Sequence, residues 1–184
     1  MNTSDFTTTI LLEKKTPKEA FEAINNVRGW WSEEIEGSTE QLNEEFKYHF
    51  EDIHRCQLKI IESVADKKIV WLVTNNYFKP GIFDKVTGHM PGGHQFTNDN
   101  NEWTGTKISF EIAKKDNKTQ IRFIHLGLVP GYECFDACSN GWNHYIGQSL
   151  LALIMKGKGQ PNSTGTPRTK EEEKLHTAAG RPEA

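Results

Sequence analysis

The chain has 184 residues and a mass of 21.0 kDa, one domain of ordinary size with some surplus. Hydrophobic residues supply 35% and charged residues 26%, and 22 Lys+Arg against 25 Asp+Glu leave a formal charge of −3. So weak a balance lacks the concentrated basic face that nucleic acid or an anionic membrane requires. No apolar run approaches the roughly 18 residues of a membrane helix, and Met1–Thr9 has neither the basic start nor the apolar stretch of a signal peptide. A soluble, cytoplasmic protein is therefore expected. Three cysteines, Cys56, Cys134 and Cys138, fit a reduced compartment.

Phe6, Ile10 and Leu12 alternate with Thr7, Thr9 and Leu11, which predicts a strand over 6–13. Thr16-Pro17-Lys18-Glu19 then combines an N-cap, a proline at the first helical position and a capping-box glutamate, so a short helix follows with Ala20, Phe21 and Ile24 inward. Segments 45–51 and 54–64 keep a two-residue period, through Phe46, Tyr48 and Phe50 and then Cys56, Leu58 and Ile60. Ala65–Lys68 turns the second of these into a strand over 69–78. A further hairpin joins 104–114 to 119–128 through Lys115-Asp116-Asn117-Lys118, whose short polar residues tolerate left-handed backbone. A seventh, short strand is expected near Ile35–Gly37.

Between the hairpins, 79–103 is rich in Gly and Pro and reads as a long loop, expected to act as a mobile flap. Phe135, Cys138, Trp142, Tyr145, Ile146, Leu150, Leu153 and Ile154 recur at spacings of three and four and predict one long helix, stopped by Gly157 and Gly159. From residue 160 onward Leu175 is the only large aliphatic side chain, so 160–184 is expected to be a disordered tail dispensable for folding. Lys170–Lys174 reads as a solvated charge run, at most a transient helical turn. The layout is α+β, an antiparallel sheet with the long C-terminal helix as its cover.

Several segments in this order resemble the START-like superfamily (SRPBCC, helix-grip proteins), and within it the family named for the activator of the heat-shock protein 90 ATPase. They are Thr16–Phe21, Trp30-Trp31, Ile35-Glu36-Gly37, Glu45-Phe46, His54-Arg55-Cys56, Val70-Trp71, Trp103–Thr106 and Phe123–Leu128. Gly141-Trp142-x-x-Tyr145-Ile146-x-x-Ser149-Leu150 and Gly157-Lys158-Gly159 complete the set, which spans about residues 6 to 160. The resemblance implies a helix-grip domain over 1–159, a curved antiparallel sheet of six or seven strands around the C-terminal helix with a cavity between them. Members bind lipids, hormones or polyketide intermediates; a minority are cyclases or dehydratases, and a few regulate the chaperone ATPase. The dedicated co-chaperone carries a further N-terminal domain, and with only Met1–Asp5 ahead of the first strand none is expected here.

Trp30, Trp31, Tyr48, Trp71, Phe110, Phe123, Trp142 and Tyr145 are the candidate cavity walls, though plain core packing calls for the same residue types. His125 shares strand parity with Ile121 and Phe123 and should point inward, either as a satisfied structural hydrogen bonder or as a group that orients a ligand or moves its proton. Cys134 and Cys138 lack the further ligands of a structural zinc site. His89 and His94, with Asp84 and Asp99, lie in the loop without spacing that fixes geometry. No metal, no cofactor and no nucleophilic triad is expected. The sequence thus points to a carrier or sensor of a small, largely apolar molecule in the cavity. The alternatives are a cyclase or dehydratase using His125 and Tyr145 there, and a module that acts on a chaperone ATPase.

Overall fold

A computed structural model describes residues 4–83 and 102–180. Seven strands form one antiparallel sheet: β1 (Phe6–Leu12), β2 (Glu36–Gly37), β3 (Glu45–Phe50), β4 (His54–Val64), β5 (Lys68–Phe78), β6 (Lys107–Lys115) and β7 (Lys118–Leu126). Their order across the sheet is β1-β7-β6-β5-β4-β3-β2. Helix α1 (Pro17–Asn25) follows β1 and starts on the expected capping box, with Glu19 N donating to Thr16 Oγ1 at 3.1 Å and Thr16 N to Glu19 Oε2 at 2.8 Å. At the β6–β7 turn, Asp116 and Asn117 take positive φ, as their short polar side chains allow.

The long C-terminal helix is continuous but not uniform. It runs as α2 (Phe135–His144), widens into a π-helical segment (Tyr145–Leu150) and returns to regular form as α3 (Leu151–Lys156). Its inward stripe buries Trp142, Tyr145, Ile146, Leu150 and Ile154 against the sheet. Cys134 N and Glu133 N, at the start of α2, donate to the carboxylate of Glu102, which ties the end of the preceding loop to this helix. This is the helix-grip α+β architecture, with the seventh strand present at Glu36–Gly37.

Two β-bulges bend the sheet and decide which side chains face its interior. Gln57 pairs with Asn75 but Leu58 pairs with Val73, so Thr74 is an extra residue on β5. Trp71 and Val73 point inward before it; after it the parity flips, and Asn76 and Phe78 are the buried residues. On β4, Ile61 is the extra residue between Ile60↔Trp71 and Glu62↔Val70.

Residues beyond Gly159 depart from expectation. Gly159 crosses so close to the 27–29 turn that a Cβ there would lie 2.2 Å from the Gly29 carbonyl oxygen. The chain then pairs Asn162 with Trp31 and Glu33 through two backbone hydrogen bonds of 3.0 and 2.9 Å and forms α4 (Lys170–Ala178). Helix α4 opens on a second capping box, Thr169 with Glu172, and buries Glu172, Leu175 and His176. The segment 160–180 is therefore a packed strap rather than a disordered tail. Its attachment is mainly polar, which an apolar census does not register. Lys170–Lys174 forms more than a transient turn: it is the first half of this helix. Residues 84–101 lie outside the described residues, and with them the flap and the cluster Asp84, His89, His94 and Asp99.

Candidate functional site

A cavity of about 60 Å³ lies between β3–β5, α2 and α4. Of the nine candidate wall residues, Trp31, Tyr48, Trp142 and Tyr145 line it. Trp31 stacks on Tyr48 with centroids 4.3 Å apart and leans on Trp142 at 4.9 Å. The other five, Trp30, Trp71, Phe110, Phe123 and His125, are fully buried in packed core and do not reach the cavity. Trp71 alone contacts Trp30, Phe46 and Phe110, so its faces and edges are occupied.

His125 points inward as strand parity requires, and both ring nitrogens are engaged. Trp142 Nε1 donates to Nδ1 at 3.0 Å, so the ring proton sits on Nε2 and donates to Thr106 Oγ1 at 2.9 Å. Thr106 in turn donates to the Trp103 carbonyl at 2.6 Å. Burial, with a smaller push from His54, lowers the His125 pKa to about 3. It is a neutral structural link between β7, α2 and the end of the loop.

The remaining walls were not singled out by sequence. Phe78 reaches the cavity only because of the Thr74 bulge. Trp103 stands nearly perpendicular to His54 and to Phe78 (85° and 88°). Helix α4 contributes Glu171, Glu172 and Leu175. His54 was findable, since it shares the inward parity of Cys56, Leu58 and Ile60. The capping motif Thr169-x-x-Glu172 repeats that of Thr16-x-x-Glu19 and signalled α4 equally well. Ala137, Cys138 and Gly141 on α2 and Glu171 on α4 are only half-buried and mark the mouth.

A polar network closes the cavity against α4. Glu172 Oε1 accepts from the Tyr145 hydroxyl and, at 3.0 Å, from Asn162 Nδ2, while Oε2 accepts from the backbone of Arg168 and Thr169 at 2.6 and 3.3 Å. Asn162 Nδ2 also donates to Tyr48 Oη at 3.1 Å. Burial, and then the Glu172 charge, push the Tyr48 and Tyr145 hydroxyls well above the usual tyrosine pKa. His54 donates from Nε2 to Asn76 Oδ1 at 2.8 Å, and burial brings its pKa down to about 4. Beside the cavity, His176 Nδ1 lies 2.6 Å from Glu51 Oε1, a second buried polar fastening of α4. Among the described residues no cluster of His, Cys, Asp and Glu could hold a metal ion.

The same architecture recurs in solved structures. The chain matches the Aha1 dimer from Colwellia psychrerythraea at 21% identity and TM-score 0.61, over 85% of this chain and 99% of that one. CalU16 from Micromonospora echinospora matches at 9% identity and TM-score 0.52, over 95% and 85% of the two chains. DynU16, from the dynemicin biosynthetic locus, matches at 12% identity and TM-score 0.55, over 86% of this chain and 51% of its own. No family model matches the sequence, and no curated protein does. At such identities the likeness speaks for the fold. The chain has the helix-grip fold.

Proposed function

We propose that this protein binds a small, mostly apolar ligand in the cavity between sheet, long helix and α4, as a carrier or sensor. The observation that carries this reading is the cavity wall, aromatic side chains on most sides with a few fixed polar groups, the usual make-up of a small-molecule site. Its volume of about 60 Å³ is well below the ~150 Å³ of a cavity that takes benzene. A compact ligand that extends through the mouth, or that shifts α4, therefore fits better than a long acyl chain.

The cyclase or dehydratase reading loses its proton-handling groups. His125 is sealed away from the cavity with both nitrogens bonded, and Tyr145 is committed to Glu172. The two imidazoles sit far below neutrality and the two tyrosines far above their usual range, so none of these four suits general acid–base work near pH 7. The interaction-module reading rests on resemblance alone. Mass spectrometry of molecules released from freshly purified protein, followed by thermal shift, tests the ligand reading. A ligand at a hundredfold its Kd should stabilise the fold by about 2.7 kcal/mol. Absence of any released molecule, with no shift from any compact aromatic compound, would remove it.

A further inference from the structure

We propose that the cavity selects an uncharged ligand that accepts hydrogen bonds, of the aryl ketone, aldehyde or ester class, and rejects carboxylates. The proposal rests on the ligand-binding reading of the same cavity and follows from its polar inventory. The Tyr145 hydroxyl is given to Glu172, and all four acceptor positions of the Glu172 carboxylate are taken by neutral donors. His54 gives its proton to Asn76. Two hydrogens remain. Tyr48 Oη accepts from Asn162, and its own hydrogen meets no acceptor among the described residues. The Trp103 indole N–H is buried and has no hydrogen-bond partner among the described residues. Both side chains line the cavity, so it offers donors to an incoming molecule, and an unmet buried donor is costly enough to discriminate.

Charge sharpens the choice. Among the described residues the lining holds two carboxylates, Glu171 and Glu172, and neither Lys nor Arg. With His54 neutral, no cation among the described wall residues can balance a ligand carboxylate, which would enter as a further buried negative charge. An ammonium group would be compatible with the glutamates but would set its N–H donors against those of Tyr48 and Trp103. A carbonyl oxygen satisfies the two donors and brings no charge.

Four probes of similar size separate these terms: acetophenone, ethylbenzene, benzoate and benzylamine, each titrated into the full chain at pH 7 by calorimetry. Acetophenone should bind about tenfold more tightly than ethylbenzene, the worth of a single well-made hydrogen bond, and benzoate should not bind measurably. Tyr48→Phe should erase most of the acetophenone advantage while leaving ethylbenzene affinity unchanged, and Trp103→Phe provides the independent second variant. If benzoate or benzylamine binds as well as acetophenone, the selectivity proposal is wrong. Equal binding of acetophenone and ethylbenzene overturns it too, yet leaves the apolar-ligand reading standing. If no probe binds, both fall.

Discussion

The two ends of the interior use the same residue types to opposite effect. Beneath β5–β7, Trp30, Trp71, Phe110 and Phe123 interlock edge to face and face to face with almost no exposed surface. Beneath β3–β5, Trp31, Tyr48, Phe78, Trp103, Trp142 and Tyr145 surround a void. Aromatic content does not separate the two; the covering element does. The first end is closed by apolar side chains such as Ile24, Val27, Ile146 and Leu150. The second is closed by α4, which supplies one buried leucine and fastens through carboxylate, amide and imidazole groups. A filled core follows from apolar shapes that can approach on all sides. A cavity survives where polar groups fix the cover at a set distance and cannot collapse inward.

Mutations at the two ends should therefore fail differently. The largest effect belongs to the filled end: Trp71→Ala should destabilise by about 3–5 kcal/mol in denaturant unfolding, with no compensating gain in ligand capacity. At the cavity end, His176→Ala leaves the carboxylate of Glu51 without its imidazole and should cost about 1–3 kcal/mol. It should also raise hydrogen exchange in α4 while α2 stays protected, and equal deprotection of both helices would show that α4 is no separate fastening.

The pH response gives a third contrast. The folded pKa of His125, about 3, lies below the unfolded value of about 6.5, so the unfolded chain takes up a proton first as pH falls. Stability contributed by the neutral ring is complete above pH 6.5 and declines below it, by up to about 1.4 kcal/mol per pH unit. His54 adds to this between 6.5 and about 4. His125→Gln should flatten the slope between pH 6 and 4 by roughly one proton; an unchanged slope would mean that the ring is not held neutral. The smallest effect is that of Tyr145→Phe, about 1 kcal/mol from the loss of one hydrogen bond to Glu172, with the apolar wall intact.

Strand parity, both hairpins, the first capping box and the inward stripe of the long helix were legible in the sequence because each is a local pattern. The parity flip at Thr74 was not, since a bulge is defined by its pairing with β4, and so Phe78 went unrecognised as a wall. The strap was missed for a related reason. Glu172 meets Tyr145, His176 meets Glu51 and Thr164 meets Glu34 across 27, 125 and 130 residues. Polar partners that far apart leave no periodicity to read, and counting aliphatic residues after Gly159 gives the wrong answer. His125 illustrates a subtler gap: its direction was readable from Ile121 and Phe123, but that Trp142 and Thr106 would occupy both nitrogens was not.

The wide turn at Tyr145–Leu150 constrains how this helix can change in length. Each residue of an α-helix advances about 100° around the axis, and a π turn absorbs one residue more than a regular turn. Deleting one residue there would restore an unbroken α-helix and leave everything after it at nearly the same angle to Trp142. Ile154 would stay on the sheet, and Gly157 and Gly159 would still lead the strap to Trp31 and the mouth of the cavity, whereas a second deletion would turn them all by about 100°. Exposed Gln148 can accept many substitutions, and the helix around it can lose one residue, but not two, without unseating the cover at the other end of the molecule.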